Sequence, residues 1–149
     1  MARYQVSYTA FPINAPRRNN PTEPGRRILT HRPIVPVRLD YEGRVFSLYS
    51  ILDSGADQCL FPGFILSLLG LDGQRSQVST FQGVGSVNQV SLFFENIGLT
   101  VGVIPRLVAT VAFSTALDQC GYGLLGQGGF FSRFKVEFDL PNGFFYIEG

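Results

Sequence analysis

The sequence predicts an all-β domain, closed and mostly antiparallel, with one or two short helices. Between residues 34 and 147, runs of β-branched and aromatic residues alternate with turn residues. The 17 glycines and 9 prolines supply many tight turns. The longest helical pattern is short, at residues 62–69, where proline opens it and Gly70 closes it. With 149 residues, 45% of them hydrophobic, the chain has the size and the apolar content of one folded domain.

The first part of the chain differs in composition from the rest. Residues 4–11 alternate loosely and predict a strand, and prolines and paired arginines follow up to residue 32. Because prolines remove ladder donors, residues 1–32 are predicted to form an extended N-terminal arm. A solvated connector, a basic docking arm and a nucleic-acid-binding arm remain open for this segment. Residues 33–149 are predicted to form the folded domain.

Composition excludes several classes of function. The net charge is +1, so nucleic acid is not expected as the main partner. His31 is the single histidine and lies in a basic segment, so a Ser–His or Cys–His centre is excluded unless His31 is its base. Cys59 and Cys120 have no metal-ligand spacing. Free thiols are expected, with a disulfide as the alternative, and no metal or cofactor is expected.

The sequence carries no apolar targeting segment near Met1 and no apolar run of membrane-spanning length. The chain is therefore expected to be a soluble cytoplasmic protein without a membrane partner.

The chemically informative segment is Asp-Ser-Gly-Ala-Asp at residues 53–57, directly after a predicted strand at residues 44–52. An acid at the end of a buried strand, followed by small residues, places a carboxylate on a tight loop. Gly55 lets the backbone approach that carboxylate closely, and the Ser54 hydroxyl can brace the loop. Taken alone, the motif is equally consistent with an ordinary Asp-Ser-Gly turn.

Four features in order resemble the retropepsin family, the dimeric aspartic peptidases of retroviruses and their cellular and bacterial relatives. They are Leu-Asp-Ser-Gly-Ala-Asp at 52–57, a glycine-containing hairpin tip at 81–87 where the family has its flap, Leu-Leu-Gly at 124–126, and a short helix followed by a strand at 130–139. The likeness covers residues 33–148. It implies a closed, retropepsin-like acid-protease barrel.

The resemblance implies an aspartic endopeptidase whose partner is a peptide or protein substrate. This chemistry uses two carboxylates that share one proton, one acting as acid and the other as base. The chain contains one Asp-[Ser/Thr]-Gly, at Asp53. A homodimer would supply the second Asp53 across a two-fold axis. The alternative is a catalytically weak peptide-binding or assembly module with the same fold.

The resemblance also implies roles for single residues. Asp53 would activate water and protonate the leaving amine, Ser54 would hydrogen-bond across the dimer axis, and Gly55 would accept a hydrogen bond from the substrate backbone. Substrate-binding roles are implied for Ala56, Asp57, Gly83, Val84, Gly85 and Leu124. Many relatives carry arginine where this chain has Gln127, so a charged brace on Asp57 is predicted to be weakened.

Overall fold

The structure is a computed structural model that describes residues 1–14, 27–71, 77–81 and 90–149. Its strands are β1 (Arg3–Ser7), β2 (Thr9–Asn14), β3 (Arg27–Arg32), β4 (Ile34–Tyr41), β5 (Arg44–Leu52), β6 (Leu60–Pro62), β7 (Gln77–Phe81), β8 (Val90–Val101), β9 (Leu107–Ser114), β10 (Gly123–Leu125), β11 (Lys135–Asp139) and β12 (Phe144–Glu148). Helix α1 spans Ile65–Leu68, and short 3-10 helices cover Thr115–Leu117 and Leu140–Asn142. The prediction of an all-β chain with little helix is confirmed.

Two compact units make up the chain, one formed by Met1–Ile34 with Val136–Gly149 and the other by Val35–Lys135. In the first unit, β12 lies between β1 and β11 in a three-stranded sheet, and β2 pairs with β3 as an antiparallel hairpin. The residues predicted to form an extended arm therefore contain three strands. The predicted domain boundary after residue 32 stays a prediction.

The single strand predicted at residues 4–11 is divided at Tyr8. The backbone N–H of Tyr8 donates to the carbonyl oxygen of Gly143 at 3.0 Å. On one side of this bond the chain pairs with β12, and on the other it pairs with β3. The Tyr8 ring packs edge-on against the buried Phe145, with ring centroids 5.3 Å apart. These contacts anchor the chain where it passes from one sheet to the next.

The second unit is built on a closed sheet. Six strands follow one another in the order β4, β5, β10, β6, β9 and β8, and the ring closes because β4 also pairs with β8. Strand β7 extends the sheet by pairing with the first half of β8. The pairs β5–β10 and β6–β9 are parallel, whereas β4–β8, β6–β10, β7–β8 and β8–β9 are antiparallel. The predicted closed and mostly antiparallel architecture is confirmed.

Alternation along the strands places the core inside this ring. In β4, Val35, Val37 and Leu39 are buried, whereas Pro36 and Arg38 between them are exposed. Burying each such apolar side chain contributes roughly 1.5–3 kcal/mol. Other fully buried side chains of this unit are Phe61, Ile65, Leu69, Ile97, Leu99, Val111, Phe113, Leu125 and Phe130.

Helix is scarcer than the sequence predicts. The pattern at residues 62–69 yields only the four residues of α1, and Gly70 ends it with a left-handed φ of +73°. Of the short helix and the strand predicted at residues 130–139, the strand is present as β11, but the helix is wrong. The residues before β11 form turns that follow Gly129, whose φ is +97°. No helix in the described part of the chain is long and apolar enough to cross a membrane.

Candidate active site

Asp53 lies immediately after the last residue of β5 and is held by main-chain bonds on both sides. Its backbone N–H donates to the carbonyl oxygen of Leu125 at 3.0 Å, which continues the parallel pairing of β5 with β10. Its carbonyl oxygen accepts from the N–H of Ala56 at 3.1 Å, which closes a tight turn. The carboxylate is therefore presented from a loop fixed to the closed sheet.

Gly55 orients the carboxylate of Asp53. The backbone N–H of Gly55 donates to Oδ1 of Asp53 at 3.0 Å, while Oδ2 accepts no hydrogen bond from the described residues. A Cβ added at Gly55 would lie 3.2 Å from Oδ1, so the glycine makes this close approach possible. One carboxylate oxygen is thus anchored, and the other is available for a reacting group.

The segment after β10 supports the loop from behind. The backbone N–H of Gln127 donates to the carbonyl oxygen of Ala56 at 2.8 Å, and that of Gly128 donates to the carbonyl oxygen of Asp57 at 2.8 Å. A Cβ at Gly126 would collide with the carbonyl oxygen of Ala56. The Leu-Leu-Gly element therefore packs directly against the Asp-Ser-Gly loop.

The side chain of Gln127 adds a contact that sequence reasoning missed. Its Nε2 donates to the carbonyl oxygen of Ser54 at 2.9 Å. Because this chain has Gln127 where many relatives have arginine, the charged brace on Asp57 was expected to be weaker. Instead, a neutral hydrogen bond holds the loop at Ser54, and none of the ion pairs among the described residues involves Asp57. The feature of the sequence that could have indicated this bond is the side chain of Gln127 itself, which is long and ends in an N–H donor.

Two cavities adjoin the loop and share Asp57. The first has a volume of about 190 Å³ and is lined by Asp53, Gly55, Ala56, Asp57, Gln58, Leu60, Ala112 and Leu124. The second has a volume of about 540 Å³ and is lined by Ser54, Asp57, Gln127, Gly128, Phe131 and Ser132. The predicted site residues between 53 and 57 thus all line one cavity or the other, and Leu124 joins them.

Gly83, Val84 and Gly85, the predicted flap residues, lie outside the described residues. The strands on either side of them, β7 and β8, are paired antiparallel, with Phe81 opposite Val90. A role for the tip in covering a substrate stays a prediction.

The other chemically reactive side chains are less suited to catalysis. Cys59 is buried behind the loop, and burial raises the pKa of its thiol to about 11. Such a thiol stays neutral at physiological pH and is a poor nucleophile. Cys120 is exposed and, like Cys59, is a free thiol. His31 is exposed on β3. In the described part of the chain, no group of three or more His, Cys, Asp or Glu could hold a metal ion.

Fold and site together define a closed all-β domain with an Asp-Ser-Gly loop next to a small, largely apolar cavity. A search of solved structures finds similarity to a retropepsin-like aspartic protease from Rickettsia conorii, with 13% sequence identity, coverage of 99% of this chain and 95% of that chain, and a TM-score of 0.49. No family model and no curated protein matches the chain. The two backbones are similar in broad outline only, so the likeness does not assign an activity to this chain.

Proposed function

We propose that this chain is an aspartic endopeptidase that acts as a homodimer and hydrolyses peptide bonds in extended substrates. The observation that carries the proposal is the Asp53 carboxylate, which accepts from Gly55 through Oδ1 and lines a cavity. Its loop is fixed by Leu125 on one side and by Gln127 on the other. A preorganised acid of this kind suits general acid–base chemistry.

The reaction requires a second carboxylate close to the first. One acid takes a proton from the attacking water, and the other, kept protonated by its neighbour, protonates the leaving amine. The motif of Asp53 occurs once in the chain, so the second acid is assigned to Asp53 of another copy. Ser54, next to Asp53, would then stiffen the paired loops across the dimer axis.

The lining of the first cavity supports a preference for apolar substrate side chains. Ala56, Leu60, Ala112 and Leu124 form its apolar walls, next to the acid. A peptide would bind in an extended conformation by adding its backbone to that of the protein, a common mode of peptide recognition by sheets. Gly55 would accept one of these hydrogen bonds, and residues 83–85 would cover the bound peptide.

The test compares the purified wild-type chain with Asp53→Asn on a library of peptides that carry paired apolar residues, from mildly acidic to neutral pH. The wild type is expected to cleave, and the variant is expected to lose about a thousandfold or more in kcat/KM. Glu42→Gln, in an exposed turn, removes a carboxylate elsewhere and serves as the matched control.

Peptide binding of equal strength by wild type and Asp53→Asn, without cleavage by either, would contradict the endopeptidase. It would favour the alternative, a peptide-binding or assembly module. The presence of a single Asp-Ser-Gly acid in each chain is the observation that keeps this alternative open.

A further inference from the structure

The second cavity beside the Asp53 loop contains a carboxylate with no ion-pair partner among the described residues. This "Asp57 cavity" has a volume of about 540 Å³, and its lining consists of Ser54, Asp57, Gln127, Gly128, Phe131 and Ser132. Asp57 is exposed, and the ion pairs of Arg3 and of Arg106 among the described residues do not involve it. An uncompensated negative charge therefore lines a space large enough for a long side chain.

The rest of the lining is neutral. The side chain of Gln127, which also lines the cavity, donates to the carbonyl oxygen of Ser54. The hydroxyl of Ser132 offers a further acceptor, and the half-buried ring of Phe131 offers an apolar wall. Arg133 follows Ser132 in the chain but is exposed and does not line the cavity. Nothing in this lining competes for the charge of Asp57.

We infer that Asp57 selects substrates that carry a basic side chain near the scissile bond, an inference that rests on the proposed peptidase function. Asp57 lines both this cavity and the one that contains Asp53, so a peptide in the first cavity extends past its carboxylate. A guanidinium group pairs with a carboxylate through two parallel hydrogen bonds, and its stem and plane pack well on an aromatic ring such as that of Phe131. An acidic substrate side chain would be repelled by Asp57.

The experiment measures kcat/KM for peptides that share one apolar scissile pair. Arginine, citrulline or glutamate is placed in turn at each of the positions flanking that pair. Citrulline has the shape of arginine without its charge. At one position the wild type is expected to prefer arginine over citrulline by about tenfold, and the preference should shrink as salt is raised.

Two variants locate the effect. Asp57→Asn is expected to reduce the ratio of arginine to citrulline cleavage to about one. Ser132→Lys leaves Asp57 in place and brings a cation into the same cavity, so it should lower the ratio in the same way. Glu42→Gln, the matched loss of an exposed carboxylate, should keep the wild-type ratio. Circular dichroism of each variant checks that it is folded.

The failures of the two proposals are distinguishable. Cleavage that depends on Asp53 but treats arginine and citrulline alike at every position would overturn the role of Asp57 and leave the peptidase standing. A preference for arginine that survives in both Asp57→Asn and Ser132→Lys would do the same. No cleavage of any peptide, or equal cleavage by Asp53→Asn, would overturn the proposed function and this inference with it.

Discussion

At the scale of single residues, the shape of the Asp53 loop depends on a few hydrogen bonds with defined donors. Gly55 fixes one carboxylate oxygen of Asp53, and the amide of Gln127 fixes the main chain at Ser54. A neutral donor at Gln127 holds the loop without neutralising Asp57. The same residue therefore braces the proposed catalytic loop and leaves a negative charge available next to it.

Replacing Gln127 with methionine removes the donor and keeps the length of the side chain. The free energy of unfolding is expected to fall by about 1 kcal/mol, the usual contribution of one hydrogen bond. The kcat should fall more than KM rises, because the loop that carries Asp53 loses its support. Urea unfolding and steady-state kinetics measure the two effects.

Gln119→Met is the control for this change, since the side chain of Gln119 is exposed and lies in a turn away from the Asp53 loop in sequence. If both variants behaved alike, the bond from Gln127 to Ser54 would have no role in stability or in catalysis.

Much of the site could be predicted from the sequence because it is contiguous. Residues 53–57 lie in one loop, so residues that are neighbours in the sequence are also neighbours in the two cavities that share Asp57. The approach of Leu124, far along the chain, was implied by resemblance and not by local pattern. The direction of the Gln127 side chain could not be predicted, since it depends on how the segment after β10 packs on the loop.

At the scale of elements, the pairing of β4 with β8 closes the sheet and carries an ion pair. Arg106 donates from Nε to Oδ2 of Asp40 at 2.9 Å and from a terminal nitrogen to Oδ1 at 2.7 Å. Gly98 is paired with Asp40 across the strands, and a Cβ there would collide with both charged groups. Because residue 98 is a glycine, the ion pair between Asp40 and Arg106 fits over the β4–β8 pair that closes the sheet.

This ion pair predicts a pH dependence of stability. The hydrogen bond from Arg106 lowers the pKa of Asp40 below its ordinary value. A carboxyl group whose pKa is lower in the folded state stabilises the fold at pH values above its unfolded-state pKa, which is about 3.9. This stabilisation is lost as the pH falls through the folded-state pKa. The wild type should therefore exceed Asp40→Asn in unfolding free energy at neutral pH, and the difference should vanish in acid.

Chemical denaturation of both proteins across this pH range measures the difference, with Glu42→Gln as the control for loss of a carboxylate. A difference between wild type and Asp40→Asn that stayed constant down to strong acid would show that the ion pair does not stabilise the closed sheet.

The end of a strand could be predicted from the sequence where the polar residues that interrupt its apolar pattern also form a turn. Strand β5 ends where predicted, at Leu52, because the Asp-Ser-Gly turn follows it. The polar pair Glu95 and Asn96 interrupts an apolar run, so the sequence predicts two strands, at residues 87–94 and 97–104, where the structure has the single strand β8. The strand continues through them, and Asn96 is exposed and accepts a hydrogen bond from Thr110 of β9. A polar pair inside a continuous strand resembles a turn in sequence.

At the scale of the whole molecule, the position of β12 limits how two copies can meet. This strand lies between β1 and β11, so both of its hydrogen-bonding edges are used within the chain. In the proposed homodimer, a second copy would therefore make contact through other surfaces while bringing its Asp53 to the site.

The most direct test of the central claim, that two Asp53 carboxylates from two chains form one active site, is a mixing titration. Wild-type chains are co-refolded with increasing proportions of Asp53→Asn chains at constant total concentration, and the rate of peptide cleavage is measured. If dimers form at random and a dimer needs both acids, activity falls with the square of the wild-type fraction, so that one wild-type chain in ten gives about a hundredth of the full rate. Activity that falls in simple proportion to the wild-type fraction would mean that each chain works alone, and would contradict the account.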